Sequence, residues 1–559
     1  MARRIRWQIL IASISSLLVL ALMGYLAVTR ASVARPLAGG DYIEGVVGIP
    51  QQLNPLIADP ATDPVAADLQ ALIFAGLTRT GPDGLPAPAL AESWTIDETG
   101  TVYTFTLRSG LTWHDGAPVS VDDVLFTLRT VQGPAFAGDQ NVAAVWRTVL
   151  IDRAGERSVR CRLEAPFAPF LRLTGFPILP SHLLRDIPPE QWASLPFSRI
   201  PVGAGPYQLV EIDATHALLR ANARYFGPRP FLDTIELRFF ETEQAAFAAL
   251  TRGDIQGMAF SGASSLASMN LPRGLARHVA LLDNLTVLTF NLRSGPLTDL
   301  GLRRALAGGL DKDALIAQAL NNQVVRLDTP VLHGWWAEAP DVVWYPADPE
   351  RAAATLDSLG YALGSDGIRA RDGQPLALSL ITDGSPARVA VAEEIARQFG
   401  AIGVRIDVEQ VEPAELQRRL EGHDFTLALH GWQRLGADPD IYELWHSSQA
   451  ARGRNYAGLE DATIDDLLAG ARRTSDIADR AAAYAEFQER WVELAPSIVL
   501  YQPLLVHVAV ADLGGLATPA PDEAPATQLI IGREGRFAGV NRWYLRSARE
   551  IRGDLRQNP

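Results

Sequence analysis

The run from Pro375 to Leu429 constrains the fold more than any other part of the chain. "PLALSLI" is an apolar stretch of strand length. "SPARVAVAEEIARQF" carries Val389, Ile395, Ala396 and Phe399 at helical spacing, with Gly400 as its stop. "VRIDV" reads as a second strand, "EPAELQRRLEG" as a second helix with Pro413 in its first turn, and "FTLAL" as a third strand. Strand, helix, strand, helix, strand with short connections implies a parallel sheet wound right-handedly, hence an α/β architecture. Ligands of open α/β sheets bind at the carboxyl edge of the strands. Just past the Phe425–Leu429 strand, at that edge, lies "HGWQRLGADPD", His430 to Asp440. A tryptophan there walls a ligand cleft or is buried under a loop; two carboxylates there are a catalytic pair, metal ligands or the frame of a pocket.

At 559 residues the chain exceeds what one core holds, and two or three lobes are expected. Its net charge of −14 disfavours a duplex or an anionic surface as partner, so no nucleic-acid role is expected. The single lysine, Lys312, is not in a phosphate-binding loop, so this chain carries no P-loop ATPase of its own. The single cysteine, Cys161, rules out an internal disulfide and a thiolate metal cluster. Neither G-x-S-x-G nor H-E-x-x-H occurs, and a D-P-D turn is commonly turn and cap chemistry, so the chain reads as no enzyme and needs no cofactor or metal.

The N-terminus carries Arg3, Arg4 and Arg6, and then runs from Trp7 to Thr29 without a charge. That length spans a bilayer core as a helix, with the arginines on the cytoplasmic side. Cleaved leaders have a shorter apolar region of about 7–15 residues, which favours an uncleaved signal anchor. "SVA", Ser32 to Ala34, offers a small-residue cleavage site as the alternative. The bulk of the chain is then expected outside the cytoplasmic membrane.

Further along, Tyr103, Phe105 and Leu107 alternate with threonine as in a half-buried strand, and Asp115-Gly116 is a hairpin-type turn. Ser120 with Asp123 is a capping box, opening a helix that buries Val124, Leu125 and Leu128. His114 among them reads as structural. In "VGAGPYQLVEI", Pro206 prevents a phosphate-binding helix, so Gly203 and Gly205 read as a turn into a strand.

Taken in order, "GLPAPALAESWTIDETGTVYTFTLRSGLTWHDGAPVSVDDVLFTL" (84–128), "VGAGPYQL", "NARYFGPRPFLDTIELRF", "RGDIQGM", "LTFNLRSGPLTDLGLRRALAGGLDKDAL", "DPERAAATLDSLGY" and "DRAAAYAEFQERWVELAPSIVLYQP" resemble the family 5 extracytoplasmic solute-binding proteins, the dipeptide and oligopeptide receptors of ABC importers. The resemblance implies a two-lobed, periplasmic-binding-protein-like α/β fold (type II, cluster C) with an extra subdomain in the first lobe. Two strands would cross between the lobes near Leu285–Leu292 and Ser497–His507. The implied organisation is a cytoplasmic stub (1–6), a transmembrane anchor (7–29) and a tether (30–40). Lobe I (41–286, with a subdomain at about 80–195), lobe II (287–499), a return to lobe I (500–549) and a tail (550–559) follow. The partners implied are a small-molecule or short-peptide solute, separate permease and ATPase chains, and the membrane; a monomer is expected. A membrane-tethered sensor, or a receptor for a nickel chelate or an oligosaccharide on the same fold, is the alternative.

The resemblance also places the ligand site. Its "GW" and Asp-Pro map onto Gly431, Trp432, Asp438 and Pro439, with Gly48 to Gln52, Gly48 and Gln51 in particular, facing them from the first lobe. Trp432 is expected as an apolar wall and Arg434 as a polar contact, while Asp438 and Asp440 cap and shape the loop. Peptide receptors of this kind often carry an aspartate for the ligand's ammonium three residues before Asp-Pro. Here that position is Leu435, which points to Asp438 or Asp440 as substitute, or to a ligand that is not a free-amine peptide.

Overall fold

A computed structural model describes residues 2–58, 62–261, 271–339, 342, 344–433, 435–436, 438–516, 529–530 and 535–551. Local sequence rules account for its elements. The strand Val102–Leu107 buries Tyr103, Phe105 and Leu107 on one face. Ser120 accepts from the Asp122 amide and the Asp123 carboxylate receives the Ser120 N–H, closing the capping box of the helix Val121–Gln132. His114 is buried between the Gly205 carbonyl (3.1 Å) and the Gly203 amide (3.2 Å). Gly203 itself lies so close to the Ile73 carbonyl that a Cβ would stand 1.9 Å from that oxygen, so only glycine makes this turn.

One mixed sheet runs through the molecule. Its central member is Ser497–Val510, and its two halves lie on either side of that strand. On one side come Gly257–Ser261, Asp41–Val47, Thr234–Phe240, His216–Ala221 and Tyr207–Ile212; on the other Leu285–Phe290, Leu427–Trp432, Ala377–Asp383 and Arg405–Val411. The last three pair in parallel, Ala377 with Arg405 and Leu380 with Leu427, with the helices Pro386–Ala401 and Pro413–Glu421 as crossovers. The expected βαβαβ unit is therefore present.

The halves of the sheet belong to different cores. One is built on Leu285, Leu380, Leu427, Phe487 and Trp491, the other on Tyr42, Phe105, Trp113, Leu237 and Trp543. Two connections join them. Leu275–Leu282 pairs with the far end of the central strand (Leu281 with Leu504), whereas Leu285–Phe290 pairs with its near end (Thr286 with Tyr501). The chain thus changes lobes at Asp283–Asn284, just ahead of the expected Leu285–Leu292, and the central strand crosses back at Gln502–Leu504.

Two expectations need correction. Residues expected as a free tether form the strand Ser32–Leu37, which pairs antiparallel with Arg546–Ile551. The third strand of the βαβαβ unit does not stop at Leu429: Gly431 and Trp432 stay in register with Thr286 and Leu285, so the pairing partner carries the strand two residues beyond the paired His430. The uncharged stretch from Trp7 to Thr29 lies within the helix Ala2–Ala31. Among the described residues, no helix is long and apolar enough to cross a membrane.

Candidate ligand site between the lobes

A cavity of about 810 Å³ opens between the two cores. Val46, Val47, Phe167 and Arg172 line it from the first lobe, Trp336, Leu435, Asp438 and Asp440 from the second, and Leu282, Asp283, Asn284 and Leu505 from the crossing segments. The volume lies in the roughly 300–1,000 Å³ range of small-molecule sites.

The second-lobe wall is a loop held by arginines. Arg480 donates two hydrogen bonds to Asp438 (2.6 and 2.9 Å), and Arg472 donates two to Asp440 (2.8 and 2.8 Å). Both pairs are shielded: the Arg480 side chain is 3% exposed and that of Asp440 3%. Burial works against the charge on Arg480, and the Asp438 carboxylate more than offsets it, so its pKa rises. Each guanidinium also lies over a ring, Arg480 over Trp336 (4.9 Å) and Arg472 over Tyr442 (3.8 Å). Planar pairing of this kind fixes both carboxylates in place, which suits a frame and leaves neither free to act as an acid or base. Asp438 and Asp440 both line the cavity, and each carboxylate is engaged by an arginine of its own lobe.

Leu435 is half-buried and lines the cavity. Its N–H donates to the Asp283 carbonyl (3.0 Å), and its carbonyl accepts from Arg172 of the first lobe (3.4 Å). Gly436, at φ +84°, donates to the Asp283 carboxylate (3.1 Å) and receives the Trp335 indole N–H (2.9 Å). The loop is thus tied to the point where the chain changes lobes. Arg434 lies outside the described residues.

Trp432 does not line the cavity. It is 3% exposed, edge-on to His430 (4.9 Å) and Trp445 (5.6 Å) and stacked with Tyr456 (6.3 Å), inside the second core. Because the strand runs on to include it, its side chain follows the strand's alternation inward. The aromatic surfaces facing the cavity are instead Trp336, Phe167 and Phe176. Gly431 is packed against the neighbouring strand, where a Cβ would stand 2.7 Å from the Leu285 carbonyl. Gly48 and Gln51 also lie off the cavity wall: the Gly48 amide binds the Phe240 carbonyl, and the Gln51 amide caps onto Asp63. The strand residues just before them, Val46 and Val47, form the wall.

Sequence reading missed the arginines. Arg472 and Arg480 follow their partners by 32 and 42 residues, in the helices Ala462–Arg473 and Ile477–Leu494. It also missed Arg536, whose guanidinium reaches Asp68 on the cavity wall (2.7 Å) and the buried Glu44 behind it. Burial alone would raise the Glu44 pKa, but His507 (3.0 Å away) and Arg536 outweigh it and hold the carboxyl down at about 2. Such partners are set by tertiary packing, and no local spacing announces them.

A cavity between two lobes joined by two crossings is the architecture of a hinged binding protein. The sequence model of the bacterial extracellular solute-binding proteins, family 5, matches residues 86–452. The chain belongs to that family. It is 26% identical over 494 residues to the oligopeptide-binding protein AppA of Bacillus subtilis, covering 85% of this chain and 88% of the relative. To protein XP55 of Streptomyces lividans it is 30% identical over 469 residues, covering 81% and 82%. The solved structure of Bacillus subtilis AppA in complex with a nonapeptide superposes with a TM-score of 0.68 at 25% identity, covering 92% of this chain and 100% of that one. NikZ of Campylobacter jejuni in complex with Ni(L-His) superposes at 0.69 with 25% identity, covering 90% and 99%. The chain is therefore an extracytoplasmic solute-binding protein, of a family that serves transporters by binding.

Proposed function

We propose that this chain is the solute receptor of an ABC importer, taking a peptide-like solute between its lobes and presenting the closed form to a permease. The observation that carries this reading is the cavity itself: it is walled by both lobes and meets the crossing segments at Asp283, Asn284 and Leu505, so hinge motion there opens and closes it. The likeness to AppA supports a peptide, and the absence of a P-loop from the chain agrees with an ATPase supplied separately.

The tether belongs to the same proposal and rests on the sequence. Its support is the charge-free run from Trp7 to Thr29 behind Arg3, Arg4 and Arg6, which has the length of a bilayer span. Alkaline extraction of membranes from cells making the full chain should leave it in the pellet.

The solute is tested by thermal shift and native mass spectrometry on residues 32–559, which keep the strand paired with Arg546–Ile551, with free-amine peptides, N-acetylated peptides, oligosaccharides and Ni(L-His). Stabilisation by peptides supports the reading. A response to Ni(L-His) or to oligosaccharides alone would replace it with the corresponding cargo.

A further inference from the structure

The cavity wall carries carboxylates from both lobes, and all but one have a partner. Asp438 and Asp440 are held by Arg480 and Arg472, Asp68 by Arg536, and Glu443 faces Arg454 at 3.9 Å. Asp283 accepts from the Gly436 amide, and Asp139 from the Val142 amide. Glu243 is the exception: among the described residues, its side chain meets no hydrogen-bond donor and no cation.

Its position is defined by the fold. Glu243 is the first residue of the helix Glu243–Arg252, whose N-cap hydroxyl, Thr242, already serves the Ala245 amide. The strand before it ends at Phe240, whose carbonyl accepts from Gly48, next to the wall residue Val47. Glu243 therefore projects from the first lobe, at the end of the strand pair that forms the wall. It is half-buried, and burial alone raises its pKa, no neighbouring charge contributing. Arg79, also on the wall and without a partner among the described residues, is exposed, and an exposed charge is readily hydrated. A half-buried carboxylate is only partly hydrated and carries a desolvation cost that an incoming cation relieves.

We infer that Glu243 is the residue that receives a cationic group of the solute, an ammonium or guanidinium, so that charge recognition comes from the first lobe and not from the loop around Leu435. The inference rests on the receptor reading and specifies its ligand: a solute with a positive group, such as a peptide with a free N-terminus. Closure then brings the frame of Asp438 and Asp440 over a solute already held on the first lobe.

The test compares wild type with Glu243→Gln, which keeps shape and removes charge. Binding is measured by calorimetry for trialanine and N-acetyl-trialanine, and for spermidine and glucosamine as non-peptide cations. The expected result is a preference of wild type for the amine-bearing partner that Glu243→Gln loses by roughly 10- to 100-fold, with the N-acetylated peptide little changed. The wild-type preference should also weaken as pH falls and Glu243 becomes protonated. Retention of the preference by Glu243→Gln overturns the assignment and leaves the receptor reading intact. So does a wild type that binds only the acetylated peptide. If neither peptide binds but a non-peptide cation does, and Glu243→Gln loses it, the peptide reading fails while the assignment stands. If no amine-bearing probe binds at all, the assignment is overturned.

Discussion

At the scale of single residues, burial decides which side chains are core and which are site. Trp432 makes its contacts with His430, Trp445 and Tyr456, and among the described residues its indole nitrogen has no hydrogen-bond partner. Trp432→Ala should therefore lower stability by about 3–5 kcal/mol, as large-to-small changes in a core do. Trp432→Phe should lose much less, since no hydrogen bond goes with the nitrogen. Solute affinity, measured by calorimetry on folded protein, should stay near wild type in both; a selective loss of affinity would return the ring to the site. Buried histidines set a second expectation. Desolvation holds His114 down to about 4 and His430 down to about 3, the latter also repelled by Arg388 and Arg454. Below pH 6.5 the unfolded chain takes up protons at both positions that the folded protein refuses. Stability from these groups is thus complete above pH 6.5 and declines as pH falls toward 4, His114 alone accounting for about 3 kcal/mol. Urea unfolding at stepped pH should show this slope, and His430→Gln should make it shallower whatever its effect at pH 7.

At the scale of elements, the site is a loop clamped by a helix. Arg480 leaves the first turns of Ile477–Leu494 to hold Asp438, and its Nε also donates to the Ala471 carbonyl (2.9 Å), so it joins two helices to the loop. Arg480→Met strands the shielded Asp438 carboxylate and should destabilise by about 3–5 kcal/mol, a cost that Asp438→Asn in the same chain partly relieves. Chemical denaturation of wild type, the single variant and the double variant measures this; equal losses in single and double variant would show that the pair does not carry the clamp. What the sequence made legible divides along the same line. The capping box at Ser120, the alternation at Tyr103 to Leu107 and the βαβαβ unit are local patterns, and they emerged as read apart from the end of the unit's third strand. Whether Trp432 points inward depended on the register with Leu285, more than a hundred residues earlier, and the partners of Asp438 and Asp440 lie on helices that follow the loop. Neither relation leaves a trace in spacing. The position of the loop at the edge of the sheet was legible because topology alone dictates it; the exchange of Trp432 for Trp336 as the facing aromatic was not.

At the scale of the whole molecule, function depends on the balance between open and closed lobes, and the structure shows what crosses the cleft besides the two connections. The Ala168 N–H of the first lobe donates to the Arg472 carbonyl of the second (2.7 Å), and the Phe167 ring lies under the Arg472 guanidinium (5.4 Å), which also meets Tyr442 of its own lobe (3.8 Å). Arg472 thus serves two purposes: its fork fixes Asp440 within the second lobe, and its carbonyl and guanidinium meet Ala168 and Phe167 of the first lobe when the cleft narrows. These contacts exist only while the lobes approach each other, so removing one biases the equilibrium toward the open form without touching the solute. Phe167→Ala should weaken binding of every solute by the same factor, roughly 2- to 30-fold for the loss of a cation–π contact that favours closure. Because Phe167 also lines the cavity, the decisive readout is the unliganded protein: small-angle scattering should give a larger radius of gyration for Phe167→Ala than for wild type, and saturating solute should return both to one value. An unliganded radius equal to wild type, with losses that differ from solute to solute, would mean that Phe167 acts as a wall of the pocket and that closure is set at the Asp283–Asn284 hinge alone.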